Sequence, residues 1–262
     1  MTLFNSNSQY RENKAIWRMF ETKVLTTELS KGYPWKWYAV NIPMDLKNIS
    51  NTKGDIDLIA HLMEPPLHQN NEPPSFYRTW EVKVSLLDKE AKALSLKRIG
   101  RTEKIIKQMQ KTRKYGAPNV SLLELFVLED GFFSRHNFPP TEVASVMKSR
   151  YLELNKNNFG YQVLPFEHEQ LGDIDYGLKS LSHTYNPFQS SIRLIEPTSL
   201  TIQAPFINLV KQLNDFYGKC KTPEKYGLSE RVISFCKSCK ELTMVYPDHS
   251  IICSKCGISI LK

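Results

Sequence analysis

The segment Val120–Leu128, VSLLELFVL, is the most restrictive feature of the chain: it is dominated by apolar residues, and Gly116 and Pro118 precede it while Gly131 follows it. A run of that length and apolarity suits a strand buried on both faces, the kind found inside a partly parallel sheet covered by helices. What precedes it supports this reading. Residues 88–115 are rich in Lys, Arg, Leu, Ile and Gln, and Leu94, Ile99, Ile105, Ile106 and Met109 form an inner face, so one long helix or two shorter ones broken at Gly100 are expected. Before them, residues 35–42 alternate aromatic and β-branched side chains, Asp55–Leu62 repeats the pattern behind Gly54, and a third strand is expected over 76–85. Residues 63–74, MEPPLHQNNEPP, predict an exposed loop, and Ile16, Phe20, Val24 and Leu25 predict an amphipathic helix over 10–29. The order helix, strand, strand, strand, helix, strand defines an α/β chain with a mixed sheet flanked by helices.

After Gly131 the pattern weakens. A helix is expected from about Pro139 to Leu154, a strand over 161–166, a short strand at Ile192–Ile195 and a helix over 204–216, with no evident place on a fold. The acidic cluster Glu167, His168, Glu169, Asp173 and Asp175 reads as a solvated loop, with a second metal site as its rival. Pro223 and Gly227 mark a linker near 222–228. The chain therefore divides into a core over 1–130, an extension of unassigned role over 131–228, and a small module over 229–262.

That last module holds Cys236-Lys-Ser-Cys239 and, thirteen residues on, Cys253-Ser-Lys-Cys256-Gly257. Two C-x2-C knuckles of this kind place four thiolates around Zn²⁺ in a closed shell, which predicts a structural zinc ribbon with strands over 241–246 and 250–252. So small a module would draw its folding energy from the metal. His249 is not needed as a ligand, and Cys220 reads as an ordinary thiol. The chain carries a formal charge of +8 and a pI near 9.1, which suits a polyanionic partner. No apolar run approaches the roughly 18 residues of a membrane span, and the N-terminal residues lack the apolar stretch of a secretory signal, so a cytoplasmic protein with no membrane partner is expected.

Two pairs carry the chemistry. Asp55 and Asp57 are two apart on one predicted strand, and Glu81 and Lys83 are two apart on the next, so each pair projects from a single face. Carboxylates converging there offer hard oxygen ligands for Mg²⁺, and a neighbouring lysine can position water and steady charge on a phosphate. GDIDLIA followed by WEVKVS, on successive strands between helices, resembles the core of the PD-(D/E)XK endonuclease superfamily, and is most similar to its resolvase-like branches. The resemblance spans about residues 10–130 and implies an αβββαβ core. It implies Asp57 and Glu81 as ligands of Mg²⁺ or Mn²⁺ and Lys83 as the catalytic lysine. It also implies a glutamate from the first helix, Glu21 with Glu28 and Glu12 as rivals, and places Gln108, accompanied by Tyr115, beside the site. No proline precedes Asp57, and the interval between the motifs is longer than in compact members.

The implied activity is hydrolysis of phosphodiester bonds in DNA, with RNA as another substrate, in restriction, antiviral defence, transposition or recombination. The rival reading is a catalytically silent nucleic-acid-binding or scaffold protein that docks partner subunits through the ribbon. Lys97, Arg98, Arg101, Lys104, Lys107, Lys111, Arg113 and Lys114 crowd one helical stretch, offset by Glu103, and form a stripe suited to a phosphate backbone. Lys237, Lys240, Lys255 and Lys262 make the cysteine module basic as well, suited to nucleic acid or to a partner. Trp35, Trp37, Tyr38 and Trp80 are assigned to the core.

Overall fold

The computed structural model describes residues 35–46, 52–62, 77–87, 101–129, 131–167, 192–195, 197, 202–220, 232–245, 253 and 255–257. The first helix with Glu12, Glu21 and Glu28 lies outside them. So do the proline-rich loop, Lys97, Arg98, residues 168–175, the 222–228 linker, His249 and the strand expected over 250–252.

The elements follow in the order β1 (Trp35–Pro43), β2 (Asp55–Leu62), β3 (Tyr77–Leu87), α1 (Thr102–Lys114), β4 (Val120–Leu128), α2 (Thr141–Lys156), β5 (Gly160–Glu167), β6 (Ile192–Ile195), α3 (Ala204–Lys219), β7 (Val232–Cys236) and β8 (Glu241–Val245). The strands form one mixed sheet in the order β6-β5-β4-β3-β2-β1-β7-β8. Hairpin-like neighbours β1, β2 and β3 are antiparallel, whereas β3, β4 and β5 are parallel and joined by α1 and α2. The expected mixed sheet with flanking helices is present. The region from 131 onward, which the sequence left unplaced, widens that sheet on one side with β5 and β6.

Each helix buries one stripe: Ile105, Ile106, Met109 and Thr112 in α1, Val143, Met147, Arg150 and Leu154 in α2, and Phe206, Leu209, Val210 and Leu213 in α3. These spacings of three, four and seven residues lay one face of each helix on the sheet. Acidic Glu103 in the first turn of α1 and basic Lys111, Arg113 and Lys114 in its last complement the helix dipole. The apolar stripes share a core with Ile59, Leu122, Phe126, Tyr161 and Val163. The opposite face of the sheet, with Leu58, Ala60, Trp80, Val82, Leu123 and Leu125, is buried too, which is why Val120–Leu128 reads as a continuous apolar run. Trp37, Tyr38 and Trp80 are core residues as expected.

Gly116 ends α1 at φ 100°, a left-handed conformation open to glycine at little cost, and a Cβ there would stand 2.5 Å from the Cβ of Gln203 at the start of α3. The turn at Gly116 thus lets α3 close against the end of α1. Asn214 then ties α3 across the sheet, accepting from Trp37 Nε1 at 3.0 Å and donating to the Tyr77 hydroxyl at 3.2 Å. His61 stacks on Tyr77 with ring centroids 4.6 Å apart, and burial, aided by nearby Lys36, pushes its pKa down to about 4.

Among the described residues, Arg150 and Glu124 form a charged pair enclosed in the interior. Arg150 of α2 donates to Glu124 of β4 and, through Nε, to Thr102 Oγ1 at 3.3 Å, while the Tyr161 hydroxyl donates to the second Glu124 oxygen. Burial, followed by the adjacent Glu124 carboxylate, pushes the Tyr161 phenol far above its ordinary range, so it stays a donor. Removing one partner of such a pair strands a charge in the interior, a loss of about 3–5 kcal/mol, whereas exchanging both for apolar residues costs far less. Arg150→Met is therefore expected to lower unfolding free energy by about that amount in urea titrations, and Glu124→Leu/Arg150→Met to recover most of it.

Candidate active site and metal centre

The β2–β3 ladder supplies the site. Its pairs run from His61↔Tyr77 to Leu58↔Trp80, so the next step sets Asp57 across from Glu81. At that step the backbone N–H of Val82 donates to Asp57 Oδ2 at 2.8 Å. Lys83, two residues along the same face, donates from Nζ to Glu81 Oε1 at 2.5 Å and lies 4.0 Å from Asp57 Oδ2. Asp57, Glu81 and Lys83 thus meet at one point, as the strand periodicity predicts. Glu81 is the inner member, 6% exposed, while the side chains of Asp57 and Lys83 are 24% and 32% exposed, so the cluster opens to solvent on one side. Burial, reinforced by the Glu81 charge against partial relief from Lys83, pushes the Asp57 carboxyl up to about 7.

Asp55 is exposed at the start of β2, paired in register with Pro43, and its charge adds modestly to the rise at Asp57. Gln108 is on α1 but on its exposed face, and Tyr115 is buried in the core. Sequence reasoning missed two neighbours. Asn41 of β1 falls between the pairs Val40↔Leu58 and Ile42↔Ile56, across from Asp57, and has a positive φ of 53°. An asparagine within a strand pattern, a residue that tolerates this conformation, was the available signal. Glu124 pairs in register with Lys83 and places the buried Arg150 network beside the lysine strand.

Arg101, Lys104, Lys107, Lys111 and Lys114 of the basic stripe are exposed along α1. Lys107 is paired to Glu103 at 2.6 Å. Arg113 departs from the stripe: its guanidinium lies 3.7 Å from the Phe159 ring centroid and donates to the carbonyls of Asn157 and Asn158. Lys111 touches the site's border, because a Cβ on Gly54, the residue before Asp55, would stand 2.9 Å from its Nζ. Gly54, at φ 125°, is a position that few other residues could occupy.

The four cysteines are brought together as expected, with their Sγ atoms all within 4.8 Å of one another. The Cys236–Cys256 and Cys239–Cys253 Sγ separations are 3.7 and 3.8 Å. A tetrahedral zinc with Zn–S bonds of about 2.3 Å has edges close to 3.8 Å, so the donor set fits Zn²⁺. Backbone N–H groups of Cys239 and Lys255 point at Cys236 and Cys253 sulfurs, both at 3.4 Å. Burial raises the Cys253 thiol, but backbone N–H groups of Cys256 and Lys255 outweigh it and hold its pKa near 6; hydrogen bonding to Cys256, together with burial, pushes Cys239 up to about 12. Among the described residues, these cysteines are the one group of three or more ligands gathered for a metal. Asp57 and Glu81 contribute two carboxylates, a number that suits Mg²⁺, which retains several waters.

No protein-family model, curated protein or solved structure matches the chain. Among the described residues no helix is long and apolar enough to cross a membrane.

Two outcomes are expected. Because the Asp57 pKa in the fold, about 7, lies above its ordinary value of 3.8, the magnesium-free protein loses stability as pH rises from about 4 through 7. Asp57→Asn, which keeps an acceptor for Val82, should therefore raise the melting temperature at pH 8 by a few degrees and leave it unchanged at pH 4, as read by calorimetry. Purified protein should contain one zinc per chain by elemental analysis, and stripping it with a strong chelator should expose four titratable thiols and lower the melting temperature.

Proposed function

We propose that the chain is a divalent-metal-dependent nuclease that hydrolyses phosphodiester bonds in DNA. The observation that carries this reading is the meeting of Asp57, Glu81 and Lys83 on adjacent strands, with the basic face of α1 at the border of the cluster. The resemblance of GDIDLIA and WEVKVS to the PD-(D/E)XK core agrees with it.

Two carboxylates held close together, one with its pKa raised by burial and then by the other, would be relieved by a divalent cation. Mg²⁺ or Mn²⁺ bound by Asp57 and Glu81 would supply Lewis-acid stabilisation to a phosphate oxygen and acidify a bound water. Val82 N–H holds one Asp57 oxygen in place. Lys83, released from Glu81 when that carboxylate binds metal, is placed to orient the attacking water and offset the charge that builds on the phosphate. Lys111 and the exposed lysines of α1 would hold flanking phosphates without reading sequence.

A second reading, a nucleic-acid-binding or scaffold protein without turnover, draws on the finding that the described residues bring only two carboxylates and that Lys83 already neutralises one of them. It predicts salt-sensitive binding with no cutting.

The test is cleavage of supercoiled plasmid with Mg²⁺, Mn²⁺ or EDTA. Cutting that needs the metal and falls about 10²–10³-fold in Lys83→Ala or Glu81→Ala supports the nuclease. Full activity in both folded variants would sink the site, and binding without cutting would favour the second reading. Matched RNA in the same assay separates the substrates.

A further inference from the structure

The cysteine module is continuous with the sheet that carries the site. β7 pairs in parallel with β1, Tyr38↔Val232, Ala39↔Ile233 and Val40↔Ser234, and β8 pairs with β7. Parallel pairing makes β1 and β7 end at the same edge of the sheet. The last pair, Val40↔Ser234, lies beside Val40↔Leu58, one residue from Asp57, and β7 ends two residues further on at Cys236. The first knuckle, Cys236 to Cys239, therefore turns beside the candidate active site. Two strand spacings of about 4.8 Å separate β7 from the strand that carries Asp57.

The charges on that turn are distributed unevenly. Lys255 is paired to Glu241 at 2.5 Å, whereas no described carboxylate pairs with Lys237 or Lys240, and both are exposed. Lys240 also sits in the left-handed region, at φ 55°, where glycine would be favoured by about 1 kcal/mol or more. A lysine at a position whose backbone favours glycine is an outlier that points to a use for its side chain.

We propose that Lys237 and Lys240 of the zinc knuckle form a second clamp on duplex DNA, gripping backbone phosphates to one side of the catalytic cluster while α1 grips the other. The zinc holds the turn in place, and the parallel β1–β7 pairing fixes its distance from the site. This inference rests on the nucleic-acid reading of the same face.

The test measures binding alone, by fluorescence anisotropy of a labelled duplex without divalent metal, across a salt series. The full chain is compared with Lys237→Gln/Lys240→Gly and with Lys104→Gln/Lys114→Gln on α1. Substituting glycine at residue 240 relieves the left-handed strain, so zinc content and melting temperature should be unchanged or raised. Affinity should nonetheless fall about tenfold and the slope of log K against log salt should shrink by about two, one for each phosphate that a lysine no longer neutralises. Undiminished affinity and slope in the knuckle variant, with the α1 variant weakened, would overturn the clamp while leaving the nucleic-acid reading intact. Absence of duplex binding by the unaltered chain would overturn both.

Discussion

The parallel ladder between β3 and β4, which runs without interruption from Thr79↔Val120 to Leu87↔Leu128, is the constraint on which the other arrangements depend. It fixes β3, and with it Glu81 and Lys83, against a strand that is buried on both faces. It also obliges the chain to cross over through α1, which lays the basic helix on the face from which Glu81 and Lys83 project. On its other side β3 takes β2 in antiparallel register, so Asp57 is delivered opposite Glu81 by the pairing. The cluster of like charges is tolerated because hydrogen bonds and a neighbouring amine surround it: Val82 on Asp57, Lys83 on Glu81.

Much of this could be read from the sequence because strands with period two and helices with apolar stripes announce themselves. Asp55–Leu62, Val120–Leu128 and Ile192–Ile195 have the bounds their patterns predict, and Asp57, Glu81 and Lys83 converge because alternation decides which face each takes. The cysteine spacing was equally informative, since thiolate geometry around a metal leaves few alternatives. β7 was not foreseen. Its five residues, VISFC, run straight into the first cysteine knuckle, and the strand they pair with lies 194 residues away. The Glu124–Arg150 pair escaped for a related reason: a single acid in an apolar run and a single arginine on a helix become meaningful only when α2 is laid over β4. Nothing local distinguishes Gln108, which faces solvent, from residues a turn away that face the sheet.

Glu124 separates two electrostatic environments along one face. On one side is the fully enclosed pair with Arg150, where geometry is fixed by packing. On the other is Lys83, partly exposed and paired with Glu81. The enclosed pair backs the exposed one, which would suit the proposed site, since a site ordered before it binds loses less on binding.

The parallel pairing of β7 with β1 also has a kinetic side. Ser234 bonds the carbonyl of Val40 across 194 residues of chain, so the free edge of β1 remains uncovered until Ser234 has been synthesised. Contacts that distant in sequence form late, after local helices and hairpins have settled. A nascent chain would hold β2 and β3 before it could complete the edge beyond them, so the cluster of Asp57, Glu81 and Lys83 would be assembled ahead of the cysteine module.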